Sequence, residues 1–172
     1  MKRIIAVLVV AVLLAVIMQA GLGCTKPPAI AVSGSWEAAP HEITWETIPG
    51  MPDSEPAPWI GHMTGTSTFN GAFEGTSVGE YSIVLQDDWT FTAEGTASFT
   101  GNVEGKEGTF VTHSTLSGTY AGDNNTRWKS TCEIISGTGE LTNLSGTYEI
   151  EAKNTWTDSW EGTYSGTLRL EG

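Results

Sequence analysis

The sequence has few cysteines and few basic residues, and each shortage excludes a class of protein. Among its 172 residues only Cys24 and Cys132 are cysteines, so no framework of several disulfides can hold the fold together. There are 8 Lys and Arg residues against 20 Asp and Glu residues, which gives a formal net charge of −12. Because so acidic a surface repels phosphate backbones, we predict that nucleic acid is not a partner.

The sequence also lacks the spacings that mark metal sites. His41, His62 and His113 are its only histidines, and it has neither a His-x-x-x-His nor a Cys-x-x-Cys pair. No His belongs to a recognisable motif for nucleophilic catalysis, and we interpret each as structural. The Asx-rich segments 87–88 and 123–125 do not match a calcium-binding loop and are typical of turns. We therefore predict no metal site and no cofactor.

One long apolar run is present, at the N-terminus. Lys2 and Arg3 precede an apolar stretch over residues 4–18, and small residues follow over 20–23. This order is typical of a secretory signal, and the run is shorter than the ~20 residues of a spanning helix. An uncleaved anchor that extends to Gly23 is the alternative. The segment predicts export, to the cell surface or the periplasm.

Cys24 directly follows Gly21-Leu22-Gly23, which resembles the lipobox of prokaryotic lipoproteins. In those proteins the Cys is acylated and becomes the first residue of the mature chain. Gly21 departs from the usual Leu at that position, so ordinary cleavage and secretion stays an alternative. We predict a signal peptide over residues 1–23, a lipid on Cys24 as the membrane anchor, a tether over 24–32 and one domain over 33–172.

After Cys24, apolar residues alternate with polar ones and never follow helical spacing. The alternation covers five runs, at 81–85, 89–99, 127–134, 147–153 and 164–171. One apolar and one polar face is typical of antiparallel strands around a single core. Shorter segments at 31–38 and 41–48 could each supply a further strand, and the Pro-rich stretch 49–58 is predicted to be a loop.

Turn residues separate these runs at the intervals expected of a meander, at 86–88, 102–108, 122–125 and 136–139. Gly-Thr dipeptides recur inside the runs themselves, and Gly in a strand indicates bulges or sharp coiling. Those are the means by which a sheet closes into a barrel. The pattern therefore favours a closed antiparallel sheet.

Four segments carry a resemblance to a known family: Ser35-Trp36-Glu37, Phe73-Glu74-Gly75-Thr76, the run from Phe99 to Phe110, and the run from Ser136 to Leu141. From residue 33 to the end, the chain resembles an uncharacterised family of bacterial and archaeal proteins that is grouped with the allene oxide cyclase-like β-barrels. The resemblance implies an all-β fold, a single eight-stranded antiparallel barrel that can enclose an apolar cavity. It does not imply the plant cyclase activity, and it transfers no catalytic residue.

The predicted interior has no carboxylate that could act as an acid or base. Where the parity is clear, the Glu residues fall on the polar face: Glu94, Glu133, Glu149, Glu151 and Glu171. His113 also falls opposite in parity to Phe110 and Leu116, so it is predicted to face solvent. This pattern argues against an enzyme. An ionisable group from a segment without assigned parity would favour one, and the candidates are Glu42, Glu46, Glu74 and Glu80.

The inward face instead has aromatic rings and a few small polar groups. The predicted ligand-binding residues are Trp89, Phe91, Phe99, Phe110, Tyr120, Trp128, Ser130, Cys132, Tyr148 and Tyr164. They predict a pocket for a small hydrophobic molecule, which is the leading hypothesis. Two alternatives stay open: an isomerase or cyclase that acts on an apolar substrate, with Ser130 or Cys132 as polar contacts, and a structural or interaction protein whose barrel is filled by its own side chains.

Overall fold

The structure is a computed structural model, and it describes residues 27–39, 41–46, 57–121, 126–154 and 159–171. These residues form nine β-strands and no α-helix. The strands are β1 (Ile30–Ala38), β2 (Glu42–Trp45), β3 (Trp59–Gly71), β4 (Phe73–Leu85), β5 (Thr90–Val103), β6 (Lys106–Thr119), β7 (Arg127–Gly139), β8 (Leu144–Asn154) and β9 (Trp160–Leu170).

The strands form one closed antiparallel sheet. From β3 to β9 each strand pairs with the next along the chain, β9 pairs with β1, and β1 pairs with β3 through Gly34–Ala38 and Ser67–Gly71. β2 pairs with the earlier part of β3, so β1 and β2 together occupy one position beside that strand. The barrel therefore has eight strand positions, as the family resemblance implies. Closure leaves the long strands without a free edge.

The predicted alternation is confirmed along the strands. In β5, Phe91, Ala93 and Phe99 are buried whereas Thr92 and Glu94 are exposed. The other inward-facing residues of the long strands follow the same period of two. His113 lies outside as predicted, with its Nε2 2.9 Å from the Glu94 Oε1.

Two predicted boundaries differ from the structure. Residues 136–139 were predicted to be a turn, but they are the end of β7, and the turn follows at 140–143. A Cβ at Gly137 would overlap the backbone carbonyl oxygen of Leu141, so only glycine fits there. This glycine therefore marks a close approach of two backbones instead of a turn. β1 begins at Ile30, three residues before the predicted start of the domain, and Val32 already lies in the core.

The turn predicted within 102–108 is confirmed, and it is shorter than that segment. Strands continue to Val103 and resume at Lys106, which leaves a two-residue turn. Glu104 and Gly105 both have positive φ, 50° and 83°, and the Asn102 side chain accepts a hydrogen bond from the Gly105 N–H at 2.7 Å. Positive φ at both central residues is the geometry that twisted hairpins prefer. Residues 122–125 and most of the Pro-rich stretch lie outside the described residues.

One end of the barrel is filled by aromatic rings. Phe73 stacks on Tyr164 with ring centroids 4.7 Å apart, and Phe99 stacks on Phe110 at 4.6 Å. The Tyr164 hydroxyl accepts a hydrogen bond from the Phe73 N–H at 2.6 Å. We call this the closed end; the turns after β3, β5 and β7 lie here, as does the start of β1.

The other end, where β4, β6 and β8 terminate, we call the open end. None of the described residues, which begin at Pro27, belongs to a helix that is long and apolar enough to cross a membrane.

Candidate functional site

A cavity of about 560 Å³ occupies the barrel interior toward the open end. It exists because inward-facing positions in the middle of neighbouring strands have small side chains. These positions are Gly65 and Ser67 on β3, Ser77 and Gly79 on β4, and Ala97 on β5. An eight-stranded barrel is just wide enough for side chains to fill. Small residues at these positions therefore leave a space that the large rings of the closed end do not reach.

The walls of the cavity are aromatic and aliphatic. Trp36 and Trp128 meet edge to face, with ring centroids 5.1 Å apart, and both are buried. The remaining apolar lining comes from several strands and includes Met63, Ile83, Leu85, Phe91, Leu116 and Ile150. Such a lining favours an apolar ligand, since burial removes apolar area of both partners from water.

A line of polar side chains crosses the cavity at one level of the barrel. Tyr81 on β4 pairs with Gly95 on β5, and Gly95 pairs with Ser114 on β6. Ser114 in turn pairs with Cys132 on β7, and Cys132 pairs with Tyr148 on β8. We call Tyr81, Ser114, Cys132 and Tyr148 the polar row. All four line the cavity, and the Tyr81 hydroxyl and the Cys132 thiol both interact with the Ser114 hydroxyl.

Glycine at two positions permits this arrangement. A Cβ at Gly95 would lie 2.7 Å from the Tyr81 Cα, and one at Gly79 would lie 2.5 Å from Cε2 of the same ring. The Tyr81 ring thus lies flat over bare backbone and reaches toward Ser114. This use of an aromatic ring to cover a glycine on a neighbouring strand is a recurring device of curved sheets.

Two more hydroxyls adjoin the polar row. The Thr112 Oγ1 lies 3.3 Å from the Ser114 Oγ, and the Ser130 Oγ lies 3.4 Å from the Cys132 Sγ. Both residues are buried and line the cavity. The sequence places all of these groups on the inward face, because each has the same parity as the apolar residues of its strand.

Burial keeps the polar row uncharged. It raises the pKa of Tyr81 to about 12, and it also raises the pKa of the Tyr148 hydroxyl and of the Cys132 thiol. Of the described residues that line the cavity, none is Asp, Glu, Lys or Arg. Four carboxylates that would favour an enzyme if they faced inward, those of Glu42, Glu46, Glu74 and Glu80, all belong to exposed residues.

The mouth of the cavity has its own ring of aromatic side chains. His41 lies over Gly65, where a Cβ would come within 2.7 Å of its Nε2, and its ring contacts Trp160 at 6.1 Å. Burial lowers the pKa of His41, so this side chain is neutral at pH 7. Trp89 and Tyr120 lie at the rim with ring centroids 5.9 Å apart.

The structure brings together most of the predicted ligand-binding residues. The cavity lining contains Trp89, Phe91, Tyr120, Trp128, Ser130, Cys132 and Tyr148. Phe99, Phe110 and Tyr164 instead pack in the closed end. Parity shows which residues point inward but not how deep along the barrel they lie, so it cannot separate the two groups.

Trp89 was predicted to be an inward strand residue, and this was wrong. It is in the turn before β5, with φ 65° and 44% of its surface exposed, and it reaches the cavity only at the rim. Sequence reasoning also passed over Trp36, His41, Tyr81 and Ser114 as site residues. The glycines that flank Tyr81 were the signal available for that residue.

The described residues form neither a cluster of three or more metal ligands nor a nucleophile elbow. Among them, no group of three or more His, Cys, Asp or Glu side chains is placed to hold a metal ion. The Gly-x-Ser-x-Gly motif of a nucleophile elbow occurs once, at Gly75-Thr76-Ser77-Val78-Gly79, but this segment lies within β4. An elbow needs a sharp turn from a strand into a helix, so Ser77 is a cavity-lining strand residue.

The fold and the cavity define a class of protein, a closed eight-stranded antiparallel barrel with an apolar interior pocket. Residues 38–164 match a family described as "Protein of unknown function (DUF3224)", and the chain belongs to that family. This confirms the uncharacterised barrel family that the sequence resembles. Comparison with curated proteins found no similar sequence.

Two solved structures share the fold. A DUF3224 protein of unknown function from Shewanella oneidensis MR-1 is 23% identical, with a TM-score of 0.56 over 84% of this chain and 100% of that one. The pterocarpan synthase dirigent protein GePTS1 is 12% identical, with a TM-score of 0.52 over 87% of this chain and 95% of that one. At these identities the likeness establishes the fold alone.

Proposed function

We propose that this protein is a binding protein that holds one small hydrophobic molecule inside its barrel, outside the cytoplasm and attached to a membrane. The observation that supports binding is the 560 Å³ cavity, whose lining is mostly apolar and whose mouth lies at one end. Its volume falls within the roughly 300–1,000 Å³ of typical small-molecule sites. A barrel that served only as a scaffold would gain stability by filling this space.

The course of β1 determines the orientation that the proposed attachment would give the barrel. β1 begins at the closed end, where Ile30 pairs with Leu168. A lipid on Cys24 would therefore hold the closed end toward the membrane, with the mouth of the cavity facing away from it. Mass spectrometry of the N-terminal peptide from the membrane fraction tests this attachment, and the chain should begin at Cys24 with a lipid on its sulfur. A membrane-bound chain that still contains residues 1–23 would instead favour the uncleaved N-terminal anchor.

Binding is tested with N-phenyl-1-naphthylamine, an uncharged probe whose fluorescence increases in apolar surroundings. The barrel should bind the probe at one saturable site. Ala97→Phe places a ring in the cavity and should weaken binding by about tenfold or more, because the volume that the probe needs is occupied.

Val78→Phe is the matched control for that variant. Val78 faces outward on β4, next to the strand that contains Ala97, and is 57% exposed. The same ring added there should leave binding unchanged. Absence of saturable binding by the wild-type protein, or equal weakening by both variants, would contradict the proposed function.

A further inference from the structure

We infer that the molecule in the cavity is uncharged and has a hydroxyl or carbonyl group, which hydrogen-bonds to the polar row of Tyr81, Ser114, Cys132 and Tyr148. This inference rests on the proposed function and specifies the chemical class of the ligand. It is carried by the juxtaposition of these four groups at one level of a cavity whose lining is mostly apolar.

The hydrogen-bonding capacity of the polar row exceeds what its members need among themselves. A hydroxyl group has one donor and two acceptor sites, so Tyr81, Ser114 and Tyr148 have more sites than their mutual contacts use. Thr112 and Ser130 add two more hydroxyls beside them. A ligand without polar atoms would cover these groups and leave the spare sites unpaired, which is unfavourable.

The charge of the ligand follows from what the lining lacks. No Lys or Arg side chain among the described lining residues can pair with an anion, and no carboxylate there can pair with a cation. His41 at the mouth is neutral at pH 7, since burial lowers its pKa. A buried charge without a partner is strongly unfavourable, so the cavity selects against ionised ligands.

Asn154 provides a second and independent observation. It lines the cavity near the open end, and its Oδ1 is buried with no hydrogen-bond partner among the residues that the structure describes. A buried acceptor in this state would gain a hydrogen bond from a ligand hydroxyl. The unpaired acceptor and the polar row both favour a ligand that has neutral hydrogen-bonding groups on an apolar body.

The test is a series of compounds with one ring system and different substituents: naphthalene, 2-naphthol, 2-acetylnaphthalene and 2-naphthoate. Each competes with N-phenyl-1-naphthylamine for the wild-type protein at pH 7.5. The hydroxyl and carbonyl compounds should bind about fivefold or more tightly than naphthalene, because each gains at least one hydrogen bond. The carboxylate should bind more weakly than naphthalene.

A pair of matched variants assigns the preference to the polar row. Ser114→Ala removes the central hydroxyl of the row, whereas Ser117→Ala removes an exposed hydroxyl on the same strand. The preference for 2-naphthol over naphthalene should shrink at least about twofold in the first variant and persist in the second.

Some outcomes of this experiment contradict the inferred ligand class, and a different outcome contradicts the proposed function. Equal affinity for naphthalene and 2-naphthol, or tight binding of 2-naphthoate, would overturn the inference while the cavity still binds apolar molecules. An undiminished preference in Ser114→Ala would also overturn it. If neither the probe nor any naphthalene compound binds, the proposed function itself is wrong.

Discussion

At the scale of single residues, the cavity shows how burial governs side-chain chemistry. Cys132, Tyr81 and Tyr148 are all titratable, and burial raises the pKa of each. The sequence predicts that Cys132 is a buried thiol, and the structure places it at 3% exposure. The sequence could not predict which side chains surround Cys132, because contacts across four strands depend on register as well as on parity.

The state of Cys132 gives the first prediction. Because its pKa is raised above the usual value, little thiolate is present at pH 8, and a thiol reagent must also enter the barrel. In a Cys24→Ala variant, where Cys132 is the one remaining cysteine, modification by 5,5′-dithiobis(2-nitrobenzoate) should be at least roughly tenfold slower for the native protein than for the unfolded chain. Equal rates in the native and urea-unfolded protein would contradict the buried position of Cys132.

His41 gives a prediction about pH. Burial lowers its pKa below 6.5, so as the pH falls through 6.5 the unfolded chain takes up the proton before the folded one. The free energy of unfolding should therefore fall below pH 6.5, until the pH passes the lowered pKa of the folded protein. His41→Phe should lose this component, measured as the difference between variant and wild type in urea unfolding at pH 7.5 and pH 5.

The control for His41→Phe is Val78→Phe, which adds an aromatic ring at an exposed position and changes no titratable group. This variant should show the same loss of stability between pH 7.5 and pH 5 as the wild type. A His41→Phe profile parallel to the wild type would show that His41 is not buried in the folded protein.

At the scale of strands, alternation was sufficient to predict β5, β7, β8, β9 and the end of β4, but not where the strands begin and end. The runs in β5, β7, β8 and β9 have the predicted faces, because one side of each strand contacts the core and the other contacts water. Glycines were the source of error. The same residue type forms the tight turn at Gly105 and permits close backbone approach at Gly137, and sequence alone does not distinguish these uses.

Gly95 provides a prediction at this scale. Its substitution by Ala would bring a Cβ to 2.7 Å from the Tyr81 Cα, and a strand backbone cannot move away easily. Gly95→Ala should lower the free energy of unfolding by about 1–3 kcal/mol through overpacking. Gly105→Asn is the control, since nothing lies within 4 Å of its Cβ position and Asn tolerates positive φ. A Gly95→Ala variant as stable as the wild type would contradict the close packing of Tyr81 on β5.

The closed end provides a second prediction about strands. The Tyr164 hydroxyl on β9 accepts a hydrogen bond from the Phe73 N–H at the start of β4. Tyr164→Phe leaves that buried N–H without this partner and should lower the free energy of unfolding by about 1–3 kcal/mol. Tyr120→Phe, at a residue that is 50% exposed, should have little effect in the same urea titration.

At the scale of the whole molecule, the barrel combines a packed end with a hollow one. The closed architecture could be predicted, because alternating strands, turn residues and a resemblance to a barrel family all favour the same fold. The cavity could not be located, since it depends on small residues from β3, β4 and β5 meeting at the same level. The predicted site therefore mixes true lining residues with rings of the closed end, such as Phe99 and Phe110.

The division between the two ends is compatible with the proposed binding function. Stacked rings and the hydrogen bond at Tyr164 stabilise the closed end, so the hollow end need not supply that stability. The open end can therefore expose its cavity to a ligand without loss of the fold. Filling the cavity with a ligand would stabilise the barrel further by mass action.

Methyl NMR of the labelled protein titrated with N-phenyl-1-naphthylamine tests the central claim most directly. Methyl groups that line the cavity, on Met63, Ile83, Leu116 and Ile150, should shift and saturate together at one equivalent. Those of the exposed residues Ile60 and Ile135 should not move. Shifts confined to Ile60 and Ile135, or no saturable shifts at all, would contradict binding inside the barrel.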